Sequence, residues 1–67
     1  MQALATIIDG ALPFLDEGGL LALEHGYDQA KAVRRLFLRA GYLAIESRTD
    51  LADVERVTMG TSPGIKV

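Results

Sequence analysis

The sequence predicts an α/β fold in the order helix, strand, helix, strand, strand, and three observations carry that prediction. Leu20-Leu21-Ala22-Leu23 is an unbroken apolar run between Gly18-Gly19 and Glu24-His25-Gly26. It has strand length rather than helix length, and it lacks the alternation of a strand with one wet face. Helical spacing of apolar residues flanks the run on both sides. Two shorter stretches of alternating character close the chain.

Residues 2 to 15 form the first helical pattern, with Leu4, Ile7, Ile8, Ala11, Leu12 and Leu15 along one stripe. Gly10 weakens a helix interior, and Pro13 removes an amide donor and disfavours the α conformation at Leu12. The expectation is a kink or break near Leu12, with a last short turn reaching Asp16. Asp16-Glu17-Gly18-Gly19 then turns the chain into the apolar run. After that run, Gly26-Tyr27-Asp28 reads as a loop with Asp28 as N-cap of a second helix, from about Gln29 to Ala40. Its buried stripe is Val33, Leu36, Phe37 and Ala40, with Ala30 and Ala32 at the margins, and Gly41 closes it. Lys31, Arg34, Arg35 and Arg39 read as a solvated face of that helix rather than a partner-binding patch, with the last three favouring its C-terminal dipole.

Tyr42 to Arg48 alternates, with Tyr42, Ala44 and Glu46 on one side and Leu43, Ile45 and Ser47 on the other. A polar connection, Thr49 to Asp53, leads to a strand from Val54 to Gly60, with Val57 and Met59 on one face. Residues 61 to 67 have turn composition and are expected to form a flexible, fraying tail. A right-handed crossover makes the first two strands parallel. A final antiparallel strand filling the gap between them gives a three-stranded mixed sheet, ordered first, third, second.

Composition narrows the function classes. The 67 residues hold at most one small domain, and a net charge of −2 gives no electrostatic case for nucleic acid or an anionic membrane. No cysteine and a single histidine, His25, leave nothing for a disulfide or a metal cluster. No run approaches a membrane span and no signal peptide is recognisable, so a cytoplasmic location is the expectation.

Several motifs occur together. Gly-Gly-Leu-Leu-Ala-Leu-Glu-His-Gly-Tyr-Asp-Gln (18 to 29) is followed by Ala-Val-Arg-Arg-Leu-Phe (32 to 37) and Ala-Gly-Tyr (40 to 42). Arg-Thr-Asp-Leu-Ala (48 to 52) and Glu-Arg-Val-Thr-Met-Gly (55 to 60) complete the set. In this order and spacing they closely resemble the C-terminal end of the HemK/PrmC family, over about residues 2 to 60. That family comprises S-adenosylmethionine-dependent methyltransferases that modify a glutamine side-chain amide of peptide chain release factors. Asp53 departs from the family, which commonly carries Gly there, a difference that bears on the turn and not on chemistry.

The resemblance implies a C-terminal fragment of a Rossmann-like class I methyltransferase fold. Residues 1 to 60 are then the end of a methyltransferase domain: a fifth parallel strand, a helix, a sixth strand, and an antiparallel seventh inserted between them. It implies S-adenosylmethionine and a release factor for the complete enzyme, and neither a catalytic nor a cofactor-binding residue in this chain. The family's glycine-rich cofactor loop and its Asn-Pro-Pro-Tyr motif are both absent from the sequence. Glu24 and His25, at the carboxyl end of a parallel strand, are candidates for the edge of the active-site crevice, flanked by Tyr27 and Gln29. The plainer alternative ties Glu24 to loop amides and packs His25 at the strand end. An inactive fragment is therefore the first expectation, and a small non-enzymatic α/β self-association module the alternative. With its strand neighbour missing, the first strand presents a bare edge and part of its apolar run to water. This predicts a homo-oligomer built through that edge and face.

Overall fold

A computed structural model describes residues 2–49 and 51–64. Helix α1 spans Gln2–Ala11 and passes into a 3-10 turn at Leu12–Phe14. Strand β1 is Leu20–Glu24, helix α2 Ala30–Ala40, strand β2 Leu43–Thr49 and strand β3 Glu55–Thr61. The break falls where Pro13 predicts it. Leu15 donates its amide to the Leu12 carbonyl, and the last turn ends at Phe14, two residues short of Asp16. Gly41 takes the left-handed conformation (φ 100°) that ends α2, its amide shared between the Leu38 and Phe37 carbonyls.

The sheet order is β1-β3-β2, and both ladders are antiparallel. β1 and β2 therefore run parallel to each other with β3 between them, and the sheet is antiparallel throughout. The β1–β3 register sets Leu21 opposite Gly60 and Leu23 opposite Thr58. These four share the face that carries the helices. Leu20, Ala22 and Glu24, opposite Thr61, Met59 and Val57, share the other face.

The core lies between that first face and the helices: Ile8, Val33, Phe37 and Tyr42 are buried, with Leu4, Leu12, Leu15, Leu21, Leu23, Leu36, Ala40 and Ile45 packed around them. The Phe37 and Tyr42 rings meet edge to face at 4.9 Å, and the Tyr42 hydroxyl donates to the Ile8 carbonyl at 2.8 Å, joining β2's entry to α1. Ala30, a margin in the sequence reading, is buried, and Ile7 is 47% exposed although it falls on the first helix's apolar stripe.

Four expectations need correction. The sheet is antiparallel rather than mixed, because β3 separates the two parallel strands, while Leu20, 58% exposed, and Ala22 meet water as the bare face predicts. Asp28 does not cap α2; Gln29 occupies that position without a side-chain cap. The regular alternation of β2 fails at Ala44, whose φ of 51° accompanies a bulge that sets Ala44 and Ile45 against Gly60 alone. The extra residue places Tyr42 and Ile45 together toward the helices and leaves Leu43 and Glu46 outside. Finally, β3 does not stop at Gly60. It runs to Thr61, Ser62 is buried, and Ser62 exchanges backbone bonds of 2.8 Å with Gly18 and Gly19. Residues 61 to 64 are thus held, whereas Asp50 and residues 65 to 67 lie outside the described residues.

Candidate functional site

The loop at the carboxyl end of β1 is tied by its own side chains. The imidazole of His25 bonds the Gly26 carbonyl through Nδ1 at 2.9 Å and the Thr58 hydroxyl through Nε2 at 2.7 Å. The Gly26 amide donates to Oε1 of Gln29 at 2.7 Å, and the Gln29 amide returns to the Gly26 carbonyl at 3.0 Å. A Cβ at Gly26 would lie 3.1 Å from Gln29 Oε1 and 3.3 Å from Asp28 Oδ1, so a side chain there would crowd this return.

From His25 the chain of bonds crosses the sheet beneath α2. Thr58 on β3 is fully buried and its hydroxyl lies 2.7 Å from that of Ser47 on β2. Arg34 on α2 donates through Nη1 to the Ser47 hydroxyl at 2.9 Å and to Glu55 at 2.7 Å. The ends fix the direction, because a guanidinium only donates and a carbonyl only accepts. With a neutral imidazole, Arg34 donates to Ser47, Ser47 to Thr58, Thr58 to His25 Nε2, and His25 Nδ1–H to Gly26. No buried side-chain polar atom among the described residues is left unpaired.

The four sequence candidates thus divide. His25 and Gln29 are half-buried and bonded into the loop, whereas Glu24 is exposed and Tyr27 is 69% exposed. The structure brings His25 and Gln29 together around Gly26 and turns Glu24 and Tyr27 to solvent. Thr58 and Ser47, the centre of the network, were not singled out from sequence. Their signal was a polar residue on the helix-facing side of each strand. Lys31, Arg34 and Arg35 line an open groove with Leu38 and Ile45, on the α2–β2 side, and none of the four loop candidates lines it.

The glycine turns among the described residues are closed by their own backbone bonds. The Gly18 amide donates to Ser62, the Gly19 amide to the Asp16 carbonyl, and the Gly26 amide to Gln29. The backbone amides of Gly18, Gly19 and Gly26 are thus engaged within the chain. Among the described residues no group of three His, Asp or Glu side chains could hold a metal ion, and no helix is long and apolar enough to cross a membrane.

Comparison with known proteins finds relatives along almost the whole chain. The release factor glutamine methyltransferase of Burkholderia pseudomallei is 53% identical over 64 residues, 96% of this chain and 22% of that protein. The chain is homologous to a segment of release factor glutamine methyltransferases. The enzymes of that name from Salmonella typhimurium and Escherichia coli are 48% and 45% identical over 60 residues, in each case 90% of this chain and 22% of theirs. The chain therefore spans about 22% of the length of these methyltransferases. No family model matches it.

Proposed function

We propose that this chain is the C-terminal, sheet-closing part of a release factor glutamine methyltransferase and is inactive by itself. The observation that carries the proposal is the identity of 42–53% over nearly the whole chain to enzymes of that name, of which it spans about a fifth. The geometry supports it. The amides of the glycine turns are consumed by the fold, and β1 ends one side of the sheet with a strand edge that no described residue pairs. The complete enzyme is a Rossmann-like, cytoplasmic methyltransferase that takes its methyl group from S-adenosylmethionine. Its acceptor is a glutamine side chain of a peptide chain release factor.

In that enzyme this segment supplies shape rather than reacting groups. The His25–Thr58–Ser47–Arg34 chain and the Gln29–Gly26 pair hold the loop after β1 rigid, so that the exposed Glu24 and Tyr27 stand at a fixed place beside the crevice. His25 and Gln29 are positioning residues in this reading, and none of the four touches the reacting atoms.

A chimera tests it. Residues 2–61 replace the matching stretch of the Escherichia coli enzyme, and methylation of its release factor is measured. The proposal expects methylation within about tenfold of the parent enzyme and none from the isolated chain. A soluble, folded chimera without activity, or saturable S-adenosylmethionine binding by the chain alone, contradicts it.

A further inference from the structure

The edge of β1 away from β3, which no described residue pairs, has a two-fold match to itself. The His25 amide donates to the Arg56 carbonyl and the Ser62 amide to the Gly19 carbonyl, which fixes 19, 21, 23 and 25 as the residues bonded to β3. By alternation, Leu20, Ala22 and Glu24 turn their amides and carbonyls to the open side. Their side chains are also exposed, on the face away from the helices. No proline and no lysine blunts this edge, and its only charge is Glu24 at one end.

We propose that two copies of the isolated chain associate through β1, antiparallel, with the two-fold axis at Ala22, to form one continuous six-stranded sheet. The occupant is a second copy because the edge is self-complementary in a single register. Ala22 faces Ala22 of the partner, and Leu20 faces Glu24 of the partner at each end. All three outward residues then exchange both backbone bonds. A slip of two residues in either direction pairs only two of them, and a slip of four sets Glu24 against Glu24 or leaves only Leu20 paired. The same register sets the exposed Leu20 and Ala22 of both copies side by side, in one apolar strip with Val57 and Met59 on the face away from the helices.

The chain contains no cysteine, so a single introduced one reports the register cleanly. A directly opposed, hydrogen-bonded antiparallel pair holds its Cα atoms about 5.5 Å apart, within disulfide range. Under mild oxidation Ala22→Cys is expected to convert most of the chain to a covalent dimer. Leu20→Cys, about 14 Å from its own copy in this register, is expected to stay reduced. Sedimentation of the unmodified chain is expected to move from 7.2 kDa toward twice that mass with concentration. Protection of the Ala22 and Glu24 amides should rise in parallel. A monomer throughout the micromolar range, or cross-linking of Leu20→Cys as readily as Ala22→Cys, overturns the proposal. Neither result touches the chimera, in which this edge is used within one chain, so failures of the two proposals are distinguishable.

Discussion

Replacing Gly60 by alanine adds one methyl group at the tightest point between sheet and helix. A Cβ there would lie 2.9 Å from Cδ2 of Phe37, 3.0 Å from Cβ of Tyr42 and 3.4 Å from Cγ1 of Ile45. The φ of Gly60 is not in the left-handed region, so the backbone accepts alanine and the effect is steric alone. None of the neighbours yields easily. Phe37 is fully buried and its ring is set edge-on against Tyr42, and the Tyr42 atom concerned is a Cβ that no rotamer change moves. Overpacking of this kind costs about 1–3 kcal/mol. At about 4–8 °C per kcal/mol for a domain of this size, the thermal midpoint should fall by roughly 5–20 °C. The same substitution at Gly10, inside α1 with no atom within 4 Å of the added Cβ, should instead stabilise by about 0.5–1 kcal/mol. Thermal and urea denaturation followed by circular dichroism reads both. A Gly60→Ala variant as stable as the parent, or equal shifts for the two variants, would refute the packing of β3 beneath α2 described above.

Asp53 holds a φ of 64°, so Asp53→Gly should raise stability by up to about 1 kcal/mol and Asp53→Ala lower it, as urea midpoints will show. Thr58→Val removes the middle of the buried hydroxyl chain and should cost about 1–3 kcal/mol. Combined with Ser47→Ala in a double-mutant cycle it should show a coupling of at least about 0.5 kcal/mol, and additive losses would argue that the two hydroxyls act separately. Burial, assisted by the nearby Asp9 carboxylate, raises the Tyr42 phenol above its usual range near 10. The neutral form is therefore the one the fold favours: its stabilisation is intact below about pH 10 and is lost as pH rises through the higher folded value. Denaturation midpoints from pH 8 to 11 should show Tyr42→Phe about 1 kcal/mol less stable at pH 8, from the lost bond to Ile8, and less sensitive to alkali than the parent.

Much of the architecture was legible because local chemistry and global fold agree. Pro13 breaks α1, Gly41 ends α2, and a crossover that makes β1 and β2 parallel leaves room between them, which β3 fills. What was not legible depends on contacts between elements. Nothing local marks Ala44 as a bulge; the bulge exists because Tyr42 and Ile45 must both reach the core opposite Gly60. Ser62 looks like tail composition, yet its pairing with Gly18 and Gly19 extends the ladder. The bond from the Gly26 amide to the Gln29 side chain likewise depends on how the loop folds back, which no local pattern marks. Thr58 and Gly60 lie within the motif that carries the family resemblance. One anchors the buried hydroxyl chain and the other makes room for Phe37, so two of that motif's residues serve packing.

The central claim, that β1 is built as an interior strand whose second side no described residue pairs, is tested most directly by amide hydrogen exchange. The measurement belongs at a dilution where sedimentation gives a monomer. The account predicts slow exchange at Leu21, Leu23 and His25 and fast exchange at Ala22 and Glu24. Equal protection of all five amides in the monomer would contradict it.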